Sequence, residues 1–244
     1  MKMRAVDETA NARTRRWFVW IVIGWLSTAT LIAMLLFRAV GPDLPPELSV
    51  QEGNNPGFDA VLARDARKLI DISDELEPQW LDEVHRGMTP IIQAASFGDV
   101  EMVESLIRAG ADSRKRGAAQ RTALQYAAEK GHPQPAVVLL DAGVEVDGAD
   151  VSGLTPLIMA AGRDVTELAF VLMDAGANVN AVMNVGWTPL LDAARRGNLA
   201  LAKELLRRGA DVNTQINNNS AVRLAEDNGH SELAQEFRAA GGRR

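Results

Sequence analysis

Cysteine is absent from the 244-residue sequence, and histidine and tyrosine are scarce, with three copies and one copy. Without cysteine the chain cannot form a disulfide, a zinc–thiolate or iron–sulfur site, or a thiol nucleophile. The histidines lie far apart, at His85, His132 and His230, and no zinc-protease, serine-hydrolase or phosphate-loop motif is present. We therefore predict no catalytic residue, no metal site and no cofactor.

Basic charge is also in short supply, since 26 Lys and Arg stand against 32 Asp and Glu, for a net charge of −6. A protein that binds nucleic acid through its phosphates normally has the opposite balance, so we expect no nucleic-acid partner. The charge is unevenly spread: residues 1–16 hold five basic and two acidic residues, whereas residues 39–86 hold four basic and eleven acidic ones. This change of composition indicates separate segments along the chain.

Residues 17–37 form an apolar run, WFVWIVIGWLSTATLIAMLLF, without a charge or a proline. As a helix, this run would rise by about 31 Å, which matches the hydrocarbon core of a bilayer. Arg16 and Arg38 bracket it, and tryptophans lie near its start, where interfacial aromatic residues belong. We interpret it as one uncleaved transmembrane helix. The alternatives are a signal peptide that is cleaved after residues 27–29 and a helix buried in a soluble core.

The orientation of the anchor follows from the basic residues that flank it. Five Lys and Arg precede the run, and only Arg38 follows it closely. The positive-inside rule then predicts an inner-membrane protein with residues 1–16 in the cytoplasm and everything after the anchor in the periplasm or outside the cell. Small-residue pairs such as Gly24 and Thr28 would suit helix dimerisation but are common in apolar helices, so the oligomeric state stays open.

The next two segments lead from the anchor to the rest of the chain. Residues 38–57 carry four prolines and three glycines, which predicts a linker. From Phe58 to Leu76, apolar residues recur at a period of 3.6, so we expect a helix that Pro78 ends and a short second helix around Trp80. We interpret residues 58–86 as a helical N-terminal cap, with an independent docking helix as the alternative.

The remainder, residues 87–244, repeats itself. Thr89, Thr122, Thr155 and Thr188 are spaced 33 residues apart, and Ser220 follows 32 residues later. Each of these residues precedes a short run with an alanine or an Ala-Ala pair, and we expect its hydroxyl to cap a first helix. A second apolar helix follows, and in repeat 4 we expect both leucines of the pair at 205–206 to face the stack. The spacing predicts five repeats, at 87–118, 119–151, 152–184, 185–216 and 217–242.

The T-P-L motifs, the Ala-Ala pairs and the closing G-A-[DN]-V-N units at 176–180 and 209–213 resemble the ankyrin repeat. The resemblance covers residues 87–242. It implies an all-α solenoid of helix–turn–helix units, with a β-hairpin finger between successive repeats and a concave face, here preceded by one transmembrane helix. The whole sequence resembles a membrane-anchored ankyrin-repeat protein of bacterial type.

The chain also departs from the family pattern. The histidine that follows T-P-L in the family is replaced in every repeat, by Ile92, Gln125, Ile158, Leu191 and Arg223. Asp164 stands where a turn glycine belongs, so we expect a strained turn there. Pro133 and Pro135 lie at the start of a second helix, and the final Gly-Gly-Arg-Arg is typical of a polar C-terminal cap.

The resemblance implies that partners contact the finger tips, the residue before each threonine and the two residues after each alanine pair. Carried onto this chain, the candidate partner-binding residues are Met88, Phe97, Arg121, Lys130, Leu154, Arg163, Trp187, Arg195 and Arg196. Apolar anchors beside arginine are typical of interface hot spots, so we expect a partner protein with an acidic and apolar surface. The alternative is that Met88, Leu154 and Trp187 merely cover neighbouring repeats.

A second candidate surface is the basic finger tip formed by Arg114, Lys115, Arg116 and Arg121. It is either a solvated loop or a contact for anionic lipid headgroups near the anchor.

The sequence favours a non-enzymatic protein that binds other proteins, as an adaptor or scaffold for an envelope protein. An inhibitor or immunity protein that masks a toxic enzyme in the same compartment is the alternative. A hydrolase is a hypothesis of another class, for which the sequence offers no site.

Overall fold

A computed structural model describes residues 56–64, 78–85 and 87–243. The predicted anchor at 17–37 and the linker as far as residue 55 lie outside the described residues, so both stay predictions. In the described part, no helix is long and apolar enough to cross a membrane.

The described chain is a series of short helices in pairs. Its helices in chain order are α1 Pro56–Leu62, α2 Pro78–Asp82, α3 Pro90–Phe97, α4 Val100–Arg108, α5 Ala123–Lys130, α6 Pro133–Asp141, α7 Pro156–Arg163, α8 Thr166–Asp174, α9 Pro189–Arg196, α10 Leu199–Arg207, α11 Ala221–Asp227 and α12 Ser231–Ala239. Each predicted repeat holds one pair, from α3–α4 in repeat 1 to α11–α12 in repeat 5.

The first helix of each repeat begins as the repeated threonine predicts. Thr89, Thr122, Thr155, Thr188 and Ser220 all have extended backbone, and each hydroxyl accepts a hydrogen bond of 3.2–3.4 Å from the N–H three residues later. These bonds satisfy donors that a helix start would otherwise leave unpaired. Proline occupies the first helical position in α3, α7 and α9, where its missing N–H costs nothing. The capping prediction is confirmed.

Gln125 explains how one repeat manages without the family histidine. Its side chain is fully buried; its Oε1 accepts from the Thr122 N–H at 2.9 Å, and its Nε2 donates to the Leu154 carbonyl at 2.5 Å. The amide therefore closes a capping box and ties α5 to the next finger. At the equivalent positions of repeats 1, 3 and 4, Ile92, Ile158 and Leu191 bury apolar side chains instead.

Asp164 has the left-handed backbone expected of the glycine it replaces. Its φ is 63° and its ψ is 31°, at the C-terminal end of α7. The carboxylate accepts a 2.6 Å hydrogen bond from Asn198 Nδ2 in the next repeat, which also donates to Thr166 Oγ1 at 2.6 Å. Aspartate tolerates this region better than most residues because its side chain bonds locally. The unusual turn is confirmed, and a neighbouring repeat supports it.

Two layers of helices make the core. In the first-helix layer the alanine pairs are buried, and these helices approach one another more closely than the second helices do, which makes this layer the inner side of the stack. In the second layer, one residue per repeat is fully buried at equivalent positions: Leu106, Leu139, Leu172, Leu205 and Phe237. Of the two leucines predicted to face the stack, Leu205 does so, whereas Leu206 is half-buried, because adjacent helical residues cannot share one face.

The N-terminal unit departs from its prediction. The prediction of one continuous helix from Phe58 to Leu76 is wrong, because α1 begins at Pro56 and ends at Leu62, and Arg64 has a φ of 55°, which no right-handed helix can continue. The rest of the predicted helix, from residue 65 onward, lies outside the described residues. The apolar periodicity extends past this point, but a turn interrupts it. Helices α1 and α2 pack on α3, with Ala60, Val61 and Leu81 buried in the common core.

The expected β-hairpin fingers are mostly turns. In the described residues one strand pair forms, where β1 Gln215–Ile216 lies antiparallel to β2 Asn219–Ser220 across left-handed residues at 217–218. The other fingers close through a single backbone bond to the residue before the threonine, such as Gly117 N–H to Arg121 O at 2.8 Å. A single bond does not make a pair of strands. Among the fingers between described repeats, the hairpin prediction therefore holds only between repeats 4 and 5.

Candidate protein-binding surface

The nine candidate partner-binding residues lie along the first-helix layer. Five of them occupy the last two positions of first helices, at Phe97, Lys130, Arg163, Arg195 and Arg196. The other four immediately precede the capping threonines, at Met88, Arg121, Leu154 and Trp187. The repeat spacing therefore places them along the first-helix side of the stack.

Arginines join neighbouring repeats across this surface. Arg121 Nη1 lies 2.8 Å from Glu129 Oε2, and Arg163 Nη2 of the next repeat lies 3.0 Å from the other oxygen of Glu129. The guanidinium of Arg121 also lies 3.6 Å from Asp150 and stacks over the ring of Tyr126 at 5.5 Å. Arg121 is thus committed to contacts within the chain, whereas Arg163 keeps about half of its side chain exposed.

In repeat 4 an arginine covers an aromatic ring. The guanidinium carbon of Arg195 lies 6.0 Å from the centre of the Trp187 ring, and Arg195 Nη2 lies 2.6 Å from the carboxylate of the buried Asp192. Arg196, one residue later, is exposed and donates to the carbonyl of Gly162 in repeat 3. The result is one exposed and one half-buried guanidinium beside a half-buried indole.

Phe97 receives a similar cover from outside its repeat. The guanidinium of Arg64, just after α1, lies 5.6 Å from the Phe97 ring centre and 3.7 Å from Asp99. Phe97 nevertheless remains 37% exposed, the most of any apolar candidate. The N-terminal unit therefore shapes one end of the candidate surface.

The remaining apolar candidates are less exposed than the sequence suggested. Met88, Leu154 and Trp187 are half-buried and pack against the hydrophobic core. This supports the alternative that they cover neighbouring repeats, at least with part of each side chain. The accessible part of the surface is instead formed by Phe97, Lys130, Arg163, Arg195 and Arg196.

Asp150 fixes the finger that carries Leu154. Its carboxylate accepts hydrogen bonds from Ser152 Oγ at 2.6 Å, Ser152 N at 2.8 Å and Leu154 N at 3.2 Å. Burial by itself would raise the pKa of Asp150, but these bonds and the charge of Arg121 outweigh it and lower the pKa. The carboxylate therefore stays ionised at neutral pH, and its contribution to stability is lost only as the pH falls through that lowered pKa.

Two of the histidines, His132 and His230, pack against turns of neighbouring repeats. A Cβ added to Gly98 would come within 2.7 Å of the His132 ring, and one added to Gly197 would collide with the ring of His230. Each ring thus packs over the turn glycine of the preceding repeat. Among the residues that the structure describes, no group of His, Asp and Glu is arranged to hold a metal ion.

Part of the basic finger tip forms hydrogen bonds within the repeat stack. Arg114 Nε donates to the Gly143 carbonyl at 3.3 Å, and Arg116 Nη1 donates to the carbonyls of Gln120 and Ala149 at 2.8 and 2.7 Å. Lys115 is exposed. Because two of its four cations bind neighbouring backbone, this tip offers an external ligand less charge than its sequence suggests.

Sequence reasoning missed the partners of the arginines. Tyr126, Glu129 and Asp192 lie in the candidate surface, and only Asp192 has a local signal, because it precedes Arg195 by three residues on one helix. The pairing of Glu129 with Arg163 joins residues 34 positions apart, so it depends on the stacking of two repeats.

A family model for ankyrin repeats, described as three copies, matches residues 60–150 and 136–216. Together the two matches span more than half of the chain, and the chain therefore belongs to the ankyrin-repeat family. The match starts within α1, so it includes most of the unit predicted as a separate cap. Members of this family generally bind other proteins and are generally not enzymes, and protein binding is the function that the fold supports.

Proposed function

We infer that this chain is a single-pass, membrane-anchored ankyrin-repeat protein that binds another protein and serves as an adaptor or scaffold for an envelope protein. Residues 17–37 form the anchor, residues 1–16 remain in the cytoplasm, and residues 38–55 link the anchor to α1 and the repeats outside the cytoplasm. The length of the apolar run and the excess of basic residues before it support this arrangement.

The inner, first-helix surface binds the partner. The observation that carries this proposal is the row of the exposed Arg163 and Arg196 and the half-buried Arg195 beside the half-buried ring of Trp187. Guanidiniums recognise carboxylates in a fork geometry, and an aromatic ring adjoining them supplies apolar contact. The partner therefore presents carboxylates around an apolar side chain, and it contacts repeats 3 and 4.

The topology can be tested with two reporters fused to the C-terminus. A phosphatase that needs an oxidising compartment should be active there, and a fluorescent protein that folds only in the cytoplasm should remain dark. A fusion after residue 16 with the anchor deleted serves as the cytoplasmic control. The opposite pattern at the C-terminus would contradict both the location of the repeats and the class of partner.

The binding surface can be tested by charge reversal. Full-length chain carrying Arg195→Glu and Arg196→Glu should retain less than about a tenth of the partner that the unaltered chain captures, because the acidic partner now meets like charge. Glu104→Ala, on an exposed position of α4, is the control and should capture the unaltered amount. Equal capture by all three chains would exclude the inner surface of repeat 4 as the binding site.

A further inference from the structure

The outer surface of the second helices changes character in the middle of the stack. At one equivalent position in each repeat the residues are Glu104, Val137, Phe170, Lys203 and Gln235. At the next position they are Ser105, which is buried, and Val138, Val171, Glu204 and Glu236, which are half-buried. Repeats 2 and 3 therefore place apolar side chains at positions that are mostly polar or charged in the other repeats.

These apolar side chains form one patch. Val137 is 42% exposed, and Val138, Phe170 and Val171 are half-buried, with one side against the core. Helices α6 and α8, which carry them, are in direct contact. We call Val137, Val138, Phe170 and Val171 the outer patch. Clustered exposed apolar side chains with polar neighbours are characteristic of interaction sites.

Acidic residues flank the outer patch, and the two second-helix stretches that carry it contain no cation of their own, although Arg116 of repeat 1 lies 3.6 Å from Glu145. Residues 133–146 and 166–179 contain four acidic residues and no Lys or Arg. Their members are Asp141, Glu145, Glu167 and Asp174. By contrast, the corresponding stretches of repeats 1 and 4 contain Arg108, Lys203, Arg207 and Arg208.

Two of these acids lie at unfavourable places. Asp141 and Asp174 end helices α6 and α8, where the partial negative charge of a helix C-terminus repels a carboxylate, whereas Arg108 and Arg207 end α4 and α10. Asp174 pairs with Arg208 of the next repeat. Asp141 is exposed and forms no ion pair within the described residues. A cation from outside would satisfy both Asp141 and the end of α6.

We propose that the outer patch binds an amphipathic basic helix of a partner protein, with its apolar stripe on Val137 and Phe170 and its lysines or arginines beside Asp141 and Glu167. The neighbouring second helices α6 and α8 present these apolar side chains next to one another, and an amphipathic helix can lay its apolar face on such a surface. The carboxylates of Asp141 and Glu167 favour a basic helix over an acidic one by charge complementarity. It also disfavours an anionic membrane surface.

A second copy of this chain fits the outer patch poorly. If two outer patches met across a two-fold axis perpendicular to the second helices, Asp141 and Asp174 of one copy would lie near Glu167 of the other. If the axis were parallel to these helices, equivalent ends would meet, and Asp141 and Asp174 would lie near the same residues of the other copy. Like charges would oppose the contact in both arrangements. The charge pattern therefore points to a partner other than the outer patch of a second copy.

This inference goes beyond the proposed function and does not depend on it. The inner surface offers arginines to an acidic partner, whereas the outer patch offers carboxylates to a basic one. The two lie on opposite layers of the stack, so both can be occupied at once. An adaptor that joins two different proteins needs such a pair of surfaces.

The test uses the full chain in nanodiscs of zwitterionic lipid and a fluorescent helical peptide of about 14 residues, roughly four turns, made of lysine with one stripe of leucine. Fluorescence anisotropy gives the dissociation constant, and empty nanodiscs give the lipid background. A peptide of identical composition in scrambled order is the probe control. Val137→Lys should weaken binding by about tenfold or more, as expected for a central contact.

The matched protein control is Gln235→Lys, which adds the same charge at the equivalent exposed position of repeat 5 and should leave the dissociation constant within about twofold, as for a peripheral contact. A second variant, Asp141→Asn with Glu167→Gln, removes only exposed charge and should weaken binding by about threefold while flattening its salt dependence. Arg195→Glu with Arg196→Glu should not weaken it, which separates this site from the inner surface.

Three outcomes would overturn the proposal. Equal weakening by Val137→Lys and Gln235→Lys would show attraction to net charge alone. Equal dissociation constants for the striped and the scrambled peptide would show that binding does not depend on an apolar stripe. A dimer in light scattering that Val137→Lys dissociates would assign the outer patch to self-association.

Discussion

Replacing Leu205 with alanine should lower the free energy of unfolding by about 2–5 kcal/mol. The Leu205 side chain is fully buried in the second-helix layer, within the row that Leu106, Leu139 and Leu172 begin and Phe237 ends. Removing it leaves a cavity between repeats 3, 4 and 5, which stabilise one another only through such contacts. Denaturant unfolding should therefore become broader as well as shifted, because repeat 5 loses part of its support.

Leu206→Ala is the matched control for this change. Leu206 is adjacent in sequence and only half-buried, so its loss should cost no more than about half as much. Equal destabilisation by the two variants would contradict the arrangement of α10 against its neighbours.

Replacing Gly197 with alanine should have a comparable effect, about 2–5 kcal/mol, from two causes that add. Gly197 has a φ of 78°, and a side chain in this left-handed region costs about 1–2 kcal/mol. The new methyl group would also collide with the ring of His230 in repeat 5, and overpacking of this kind costs about 1–3 kcal/mol. Thermal unfolding followed by circular dichroism measures the sum.

A second glycine separates these two causes. Gly209 has a φ of 90°, but a Cβ there meets nothing within 4 Å, so Gly209→Ala should show the backbone cost alone. Adding His230→Ala to Gly197→Ala should recover stability relative to the single glycine variant, because the ring that blocks the methyl group is gone. If Gly197→Ala and Gly209→Ala were equally destabilising, His230 would not pack over the turn.

Local chemistry explains why the repeats could be predicted. Each repeat is defined by a capping threonine or serine, a proline or alanine at the first helical position and, except at Asp164, a glycine in the turn that follows each helix, and all of these act within a few residues. Asp164 illustrates the strength of this code, since a residue that departs from it still adopts the predicted left-handed backbone.

The N-terminal unit could not be predicted in the same way. Its apolar residues keep a helical period beyond Leu62, but periodicity describes which face is buried and not where the backbone turns. The turn at Arg64 carries neither glycine nor proline. Its guanidinium instead contacts Phe97 and Asp99 of repeat 1, so the turn coincides with contacts to another repeat that local sequence does not reveal.

For the candidate surface, the positions of the residues could be predicted from the sequence, but their exposure could not. The sequence placed Phe97, Arg163 and Arg196 on one side of the stack because the 33-residue spacing fixes their positions. The sequence-based prediction overestimated the exposure of Met88 and Trp187, whose side chains are half-buried and pack against the core. How far a side chain is covered depends on the repeats on either side, and that follows only from the folded stack.

The most direct test of the central claim, that the inner surface binds a protein, is photo-crosslinking in intact cells. A photoreactive amino acid replaces Lys130, Arg163 or Arg196 on the inner surface, and Glu104 or Lys203 on the outer one, all in exposed positions of the full chain. We expect one common protein to be joined to the three inner positions and not to the two outer ones, and its yield to fall when Arg195→Glu is added. Crosslinks to that protein from the outer positions only, or from all five equally, would contradict the claim.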